Sequence, residues 1–168
     1  MIVVQDIHKH FGGFRAVDGA TLEIKQGSIT GLIGPNGAGK TTLFNVIAGV
    51  LKPTSGRVTM LGEDITGLPP HELFHKGLLR TFQIAHEFSS MTVRENLEFF
   101  GGVYGLTPQD IKQRGAALLP RLDLTGSERR LAGSLPLGYK QRLALGCAML
   151  HAPRVLFLDE PTGGVDPL

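Results

Sequence analysis

The chain has no tryptophan, two tyrosines and a single cysteine, Cys147. One thiol excludes an internal disulfide and fits a reducing compartment. No stretch approaches the roughly 18–20 apolar residues that a membrane-spanning helix needs. The opening segment MIVVQDIHKH lacks a basic stretch followed by a long apolar run, so no signal peptide is read there. Neither sign of charge dominates: 17 Lys and Arg against 15 Asp and Glu leave +2, too little to argue for nucleic acid. Internal repeats and low-complexity stretches are also missing. What remains is ordinary for a folded protein: 168 residues, 42% hydrophobic and 19% charged, enough for one core or a core with a small subdomain. The expectation is a soluble cytoplasmic domain.

The first third reads as short strands joined by glycine turns. Ile2–Val4 is a candidate strand, and Thr21–Ile24 alternates in polarity before a Lys25-Gln26-Gly27 turn. Ser28–Ile33 is an apolar run that predicts a buried strand. Lys40–Ala48 predicts a helix closed by Gly49, Arg57–Met60 a strand, and Pro69-Pro70 open a short helix through about Lys76. The middle is helical, with helices expected at Asn96–Tyr104 and Pro108–Leu122. Gly138–Leu150 predicts another helix, and Arg154–Leu158 a strongly apolar strand after Pro153. The pattern is an α/β core interrupted by a helical insertion.

Gly34-Pro35-Asn36-Gly37-Ala38-Gly39-Lys40-Thr41 fits G-x-x-x-x-G-K-[ST]. The glycines let the backbone curl so that successive N–H groups face phosphate oxygens. The following helix adds the positive end of its dipole. Lys40 is placed to reach the β- and γ-phosphates, and the Thr41 hydroxyl to ligate Mg²⁺. A chance glycine-rich turn is set aside because an apolar run precedes the loop and a helical pattern follows it. Val155–Leu158 then leads into two adjacent carboxylates, Asp159 and Glu160. At the tip of a buried strand, Asp159 suits Mg²⁺ held through water, and Glu160 suits a base for the attacking water. Two acids capping the next turn are the alternative, and the phosphate loop weighs against it.

With these residues the chain resembles the ABC ATPase family. Gln83, in Arg80-Thr81-Phe82-Gln83, matches the family's Q-loop glutamine, which implies contact with Mg²⁺ and water and a relay to a membrane subunit. Leu135–Arg142 (LPLGYKQR) stands where the signature L-S-G-G-Q-x-Q-R belongs, and Pro161–Asp166 resembles the D-loop. Phe11 resembles the aromatic that stacks on adenine. The resemblance implies a P-loop NTPase (RecA-like) core with an antiparallel β part and a helical insertion subdomain. It divides the chain at 1–85, 86–151 and 152–168, with the last piece returning to the core. The implied nucleotide set is Phe11, Gly34 to Thr42 (with Pro35, Asn36, Ala38 and Thr42), Leu135, Gly138 and Asp166. Lys40, Gln83 and Glu160 are the implied catalytic residues. Thr41, Gln83 and Asp159 are the implied metal set, and the cofactors are ATP and Mg²⁺. The implied partners are a second ATPase subunit, paired head to tail, and transmembrane permease subunits; no nucleic acid is expected. Peripheral attachment to the cytoplasmic face of the inner membrane follows from these partners.

The signature departs from the commonest form. Pro136 stands at the serine position and supplies neither hydroxyl nor N–H, while Gly138 and the following helix start remain for phosphate. Below family level the resemblance is mosaic. GEDITGLPPHE and RTFQIAHEFSSMTVREN resemble branched-chain amino acid import ATPases. FFGGVYGL, RLAGSLPLGYKQRLALGCAMLH and LFLDEPTGGVDPL resemble drug or sodium exporter ATPases. The importer-like Q-loop segment tilts the reading to import; export, or nucleotide binding with little catalysis, is the alternative. The family has further strands and a switch histidine past the equivalent of Leu168, so the chain is expected to be incomplete there, with impaired turnover and exposed strand edges.

Three other patterns carry less. His71-Glu72-Leu73-Phe74-His75 spells H-E-x-x-H, but no third ligand is evident and a solvated helix is the better reading. Asp64–Gly67 and Asp123–Gly126 spell D-x-x-G without the N-K-x-D that guanine recognition needs, so turns are expected. Cys147 lies among Leu and Ala in a helix and predicts a buried thiol. His8, His10 and His86 fit no pattern.

Overall fold

Ile2 and Val4, fully buried on either side of the half-buried Val3, set the core face of a long strand, β1, Ile2–Phe11. The computed structural model describes residues 2–80 and 87–158. The predicted sites Gln83, Asp159, Glu160 and Asp166 lie outside the described residues. The described chain forms two compact units, 1–78 and 79–168.

In the first unit, β1 pairs antiparallel with β2 (Phe14–Ile24) on one side and β3 (Ser55–Met60) on the other. β3 pairs in turn with β4 (Glu63–Asp64), giving the order β2-β1-β3-β4. Strict alternation would turn Asp6 into the core. Instead Asp6 takes φ +48 at an irregularity in the ladder, its N–H donates to Thr21 Oγ1 at 3.0 Å, and Ile7 becomes fully buried. Gly56 makes this possible on the β3 side, because a Cβ there would collide with the Asp6 carbonyl. β1 and β2 run longer than the sequence pattern indicates. The segment His8–Phe11 has no polarity alternation, and its extended form is set by ladders to β2 and β3.

Helix α1 (Lys40–Ile47) buries Leu43, Val46 and Ile47, the i, i+3, i+4 stripe, against β1 and β2. It ends where Gly49 adopts φ +75, a position in which a Cβ would strike the Leu68 carbonyl. Helix α2 (Pro70–His75) begins with Pro70 at its first turn and buries Leu73.

One expectation fails. Ser28–Ile33 is not a strand, and Ile29 and Ile33 are exposed. An apolar run becomes a buried parallel strand only when neighbours take its N–H and C=O groups on both edges. Among the described residues no strand pairs with it.

The second unit is built on three helices. Thr92 caps α3 (Val93–Val103) in a reciprocal capping box with Glu95. Thr107 caps α4 (Pro108–Arg121), which has Pro108 in its first turn. Helix α5 spans Leu137–Met149. Val93, Leu97, Ile111, Leu118, Leu143 and Cys147 form the centre of their shared core. Gly101 lets α3 approach closely, since a Cβ there would lie 2.6 Å from Ile111 Cγ1 and 2.9 Å from Leu150 Cδ2. Two short strands, β5 (Leu78–Arg80) and β6 (Val155–Phe157), pair with each other. β6 lies within the predicted strand at Arg154–Leu158 and ends just before Asp159.

Candidate nucleotide site

The loop Gly34–Gly39 runs into the first turn of α1. Gly37 and Gly39 take φ +84 and +81, left-handed values that other residues adopt at a cost. Gly39 is also a close approach: a Cβ on it would collide with the Ala16 carbonyl of β2. A tight turn, with the Ala38 N–H donating to the Pro35 carbonyl at 3.2 Å, closes the loop.

α1 starts at Gly39 without a side-chain cap and without an acid in its first turn. The N–H groups of Lys40, Thr41 and Thr42 therefore lack intrahelical acceptors at the positive end of the helix dipole. An anion supplies what that end lacks. The Lys40 ammonium folds over the loop, donating to the carbonyls of Gly34 at 2.6 Å and Pro35 at 2.7 Å. Those bonds use two of its three donors and hold the charge over the loop. Pro35, Asn36, Ala38 and Thr41 are exposed, while Gly34 and Thr42 are half-buried.

Phe11 ends β1 as an exposed residue, and the Lys9 ammonium sits 5.0 Å from its ring centroid. An exposed aromatic face is what base stacking needs.

In the second unit, Pro136 is the extended residue before α5, with φ −56 and ψ 153. Pro136 accepts from the N–H groups of Tyr139 and Lys140 at 3.0 and 3.1 Å. The N–H groups of Leu137 and Gly138 precede the first intrahelical bonds of α5. Leu137 is exposed, and a Cβ on Gly138 would meet nothing within 4 Å. Leu135 differs from these: its side chain is buried in the helical core. Tyr139 and Arg142, on the first turns of α5, both reach Asp123 Oδ2, at 3.4 and 2.9 Å. The guanidinium also lies 5.0 Å from the Tyr139 ring.

The weaker motifs resolve as structure. Asp64 accepts from the Thr66 N–H at 2.9 Å in a turn, and Asp123 takes φ +56. His71 and His75 are exposed on α2. Cys147 is 3% exposed, and burial pushes its thiol up to about 12.

Two features escaped the sequence reading. Asn96 is fully buried and hydrogen-bonded on every side. His8, His10 and Asp18 gather on the first sheet. The signal for the latter was His-Lys-His at strand spacing, which puts both imidazoles on one face.

Fold and loop together define a P-loop nucleotide-binding domain. The ABC transporter family profile matches residues 17–163. The chain belongs to the ABC transporter family, among its ATP-binding proteins.

Its similarities span ATP-binding proteins named for different cargoes. The chain is 42% identical over 171 residues to an Escherichia coli protein named "Probable multidrug ABC transporter ATP-binding protein", matching over 100% of this chain and 29% of that protein. It is 37% identical over 183 residues to a high-affinity branched-chain amino acid transport ATP-binding protein of Pseudomonas aeruginosa, covering 99% of this chain and 71% of that one. A daunorubicin resistance ATP-binding protein of Streptomyces coeruleorubidus is 40% identical over 161 residues, covering 96% of this chain and 49% of that one. Among solved structures, an ATP-binding cassette of an ABC transporter in its ADP conformation superimposes with TM-score 0.88 at 36% identity, covering 99% of this chain and 70% of that chain.

Proposed function

We propose that the chain binds Mg-ATP at the Gly34–Thr42 loop and hydrolyses it to drive an ABC membrane transporter. The observation that carries this reading is the Lys40 ammonium, held over a glycine loop whose helix start is uncapped and free of acids. Phe11 stacks on adenine, Lys40 and the helix start take the β- and γ-phosphates, and Thr41 with Asp159 holds Mg²⁺. Glu160 orients the attacking water, and Gln83 links the metal to the membrane subunit. Gly138 and Asp166 belong to the surface that meets a second ATPase subunit, arranged head to tail; Leu135, expected there as well, is instead a core residue that anchors the start of the signature segment. Core 1–85, helical subdomain 86–151 and core return 152–168 are the functional divisions. Transmembrane permease subunits hold the assembly at the cytoplasmic face of the inner membrane.

The transported cargo is read from the segments flanking Gln83, which favour import of branched-chain or hydrophobic amino acids. The Leu-Pro-Leu-Gly-Tyr signature favours a second reading, export of drugs or sodium. Co-expression with candidate membrane subunits separates the two. Labelled leucine uptake that needs Lys40 supports import, and Lys40-dependent drug efflux without uptake supports export.

Hydrolysis itself is tested with Glu160→Gln. Turnover at least 100-fold below wild type with ATP binding retained supports the catalytic assignment. Equal turnover in both proteins would replace it with a nucleotide-gated binding module.

A further inference from the structure

His8 and His10 take no part in the nucleotide site. They lie two apart on β1, their ring centroids 6.0 Å from each other. Asp18 of β2 joins them. One ring nitrogen from each histidine and one Asp18 oxygen all lie within 4.8 Å of one another. Among the described residues this is the one group of three or more metal-competent side chains.

Two features of the cluster call for a cation, and a third orients a ligand. Both ring nitrogens of His8 face carboxylates: Nδ1 lies 2.9 Å from Asp18 Oδ1, and Nε2 lies 3.1 Å from Asp6 Oδ1. A neutral imidazole has one N–H and satisfies one of them. The other contact then sets a nitrogen lone pair against a negative oxygen, unless a second proton or a metal ion stands there. His10 Nε2 is buried and has no hydrogen-bond partner among the described residues, an arrangement that folded proteins rarely leave uncompensated. Finally, Arg15 engages Asp18 Oδ2 at 3.2 Å, which fixes the carboxylate and leaves Oδ1 toward the histidines.

We propose that His8, His10 and Asp18 bind a divalent transition-metal ion of the zinc class, with Asp6 orienting the His8 ring. Asp6 accepting from Nε2–H leaves Nδ1 as the ligand atom, the carboxylate–histidine–metal arrangement. Two imidazoles and a carboxylate suit Zn²⁺ and its neighbours better than Mg²⁺, which prefers oxygen ligands. Ligand atoms around a tetrahedral Zn²⁺ sit about 3.4 Å apart, so the widest separation closes by about 1–1.5 Å on binding. Two ionised aspartates and one arginine leave the site with one net negative charge when both rings are neutral.

The test is calorimetric titration of Zn²⁺ into chelator-stripped protein without nucleotide. One Zn²⁺ per chain is expected, with affinity falling at least tenfold in His10→Gln and again in Asp18→Asn, an exposed position that keeps the test open if His10→Gln misfolds. Asp6→Asn weakens binding about tenfold while preserving the one-to-one ratio. His71→Gln/His75→Gln, which removes the exposed pair on α2, leaves the affinity unchanged, and Mg²⁺ does not displace Zn²⁺. The proposal is overturned if wild type shows no saturable binding, if binding survives both His10→Gln and Asp18→Asn, or if it disappears with the α2 pair.

Discussion

The Asn96 side chain holds both backbone groups of Phe88. Its Oδ1 accepts from the Phe88 N–H at 2.7 Å, and its Nδ2 donates to the Phe88 carbonyl at 3.1 Å. Nδ2 also lies 2.9 Å from the Thr92 carbonyl, so this fully buried amide ties the residues before α3 to its first turn. The segment it fixes begins a few residues after Gln83.

Replacing Asn96 with Leu removes the partner of the Phe88 N–H and carbonyl and puts an apolar side chain of different shape in a fully buried position. A loss of about 2–4 kcal/mol is expected, read from urea denaturation. Asn96→Asp is expected to cost as much, because it sets a carboxylate oxygen against carbonyls. A stability within about 0.5 kcal/mol of wild type in both variants would contradict this anchoring role.

Gly39→Ala tests the backbone of the phosphate loop. The left-handed φ and the Ala16 carbonyl both oppose a Cβ. Destabilisation of about 1–3 kcal/mol is expected, together with at least a tenfold loss of ATP affinity. Gly138→Ala has open space for its Cβ and is expected to leave stability within about 1 kcal/mol of wild type. Thermal melts of the two variants, side by side, make the comparison.

Acid sensitivity follows from the helix caps. The Thr92 N–H, and then the Thr92 hydroxyl, hold Glu95 below its ordinary 4.5, and the Thr107 hydroxyl holds Asp110 below 3.8. A carboxylate depressed in the folded state contributes stability above its unfolded value and loses it as pH falls through the folded one. The melting temperatures of wild type and Glu95→Gln should therefore differ most above about pH 5 and converge on acidification below about pH 4. A gap that widens on acidification would reverse the sign and contradict the cap.

Cys147 should resist alkylation. With its thiol pushed up to about 12, only about one molecule in ten thousand carries a thiolate at pH 8. Iodoacetamide labelling of folded protein should be slow and should accelerate on unfolding in urea. Rapid labelling under native conditions would contradict the burial.

Local pattern made much of this architecture legible, because the signals were chemical and close in sequence. Pro108, the 40–47 stripe and Gly49 mark their helices directly, whereas the Thr92–Glu95 capping box starts α3 at Val93, ahead of the expected Asn96. The phosphate loop was legible for the same reason: its spacing encodes one backbone shape. Ser28–Ile33 departs from its pattern because a buried strand is a property of its neighbours, and apolar composition alone cannot supply their ladders. Asp6 was hidden as well, since its bulge depends on Gly56 fifty residues away. The His8, His10 and Asp18 cluster arises only when β1 and β2 pair. Nothing in the local pattern distinguishes Asn96, whose full burial depends on how the Phe88–Thr92 segment folds back onto α3.

Lys40 and its loop are expected to bind the phosphates of ATP. Calorimetric titration of Mg-ATP into wild type and Lys40→Ala addresses this most directly. Saturable one-to-one binding by wild type is expected, weakened at least tenfold in Lys40→Ala with the fold intact by circular dichroism. Equal affinity in the two proteins, or no binding by a folded wild type, would contradict it.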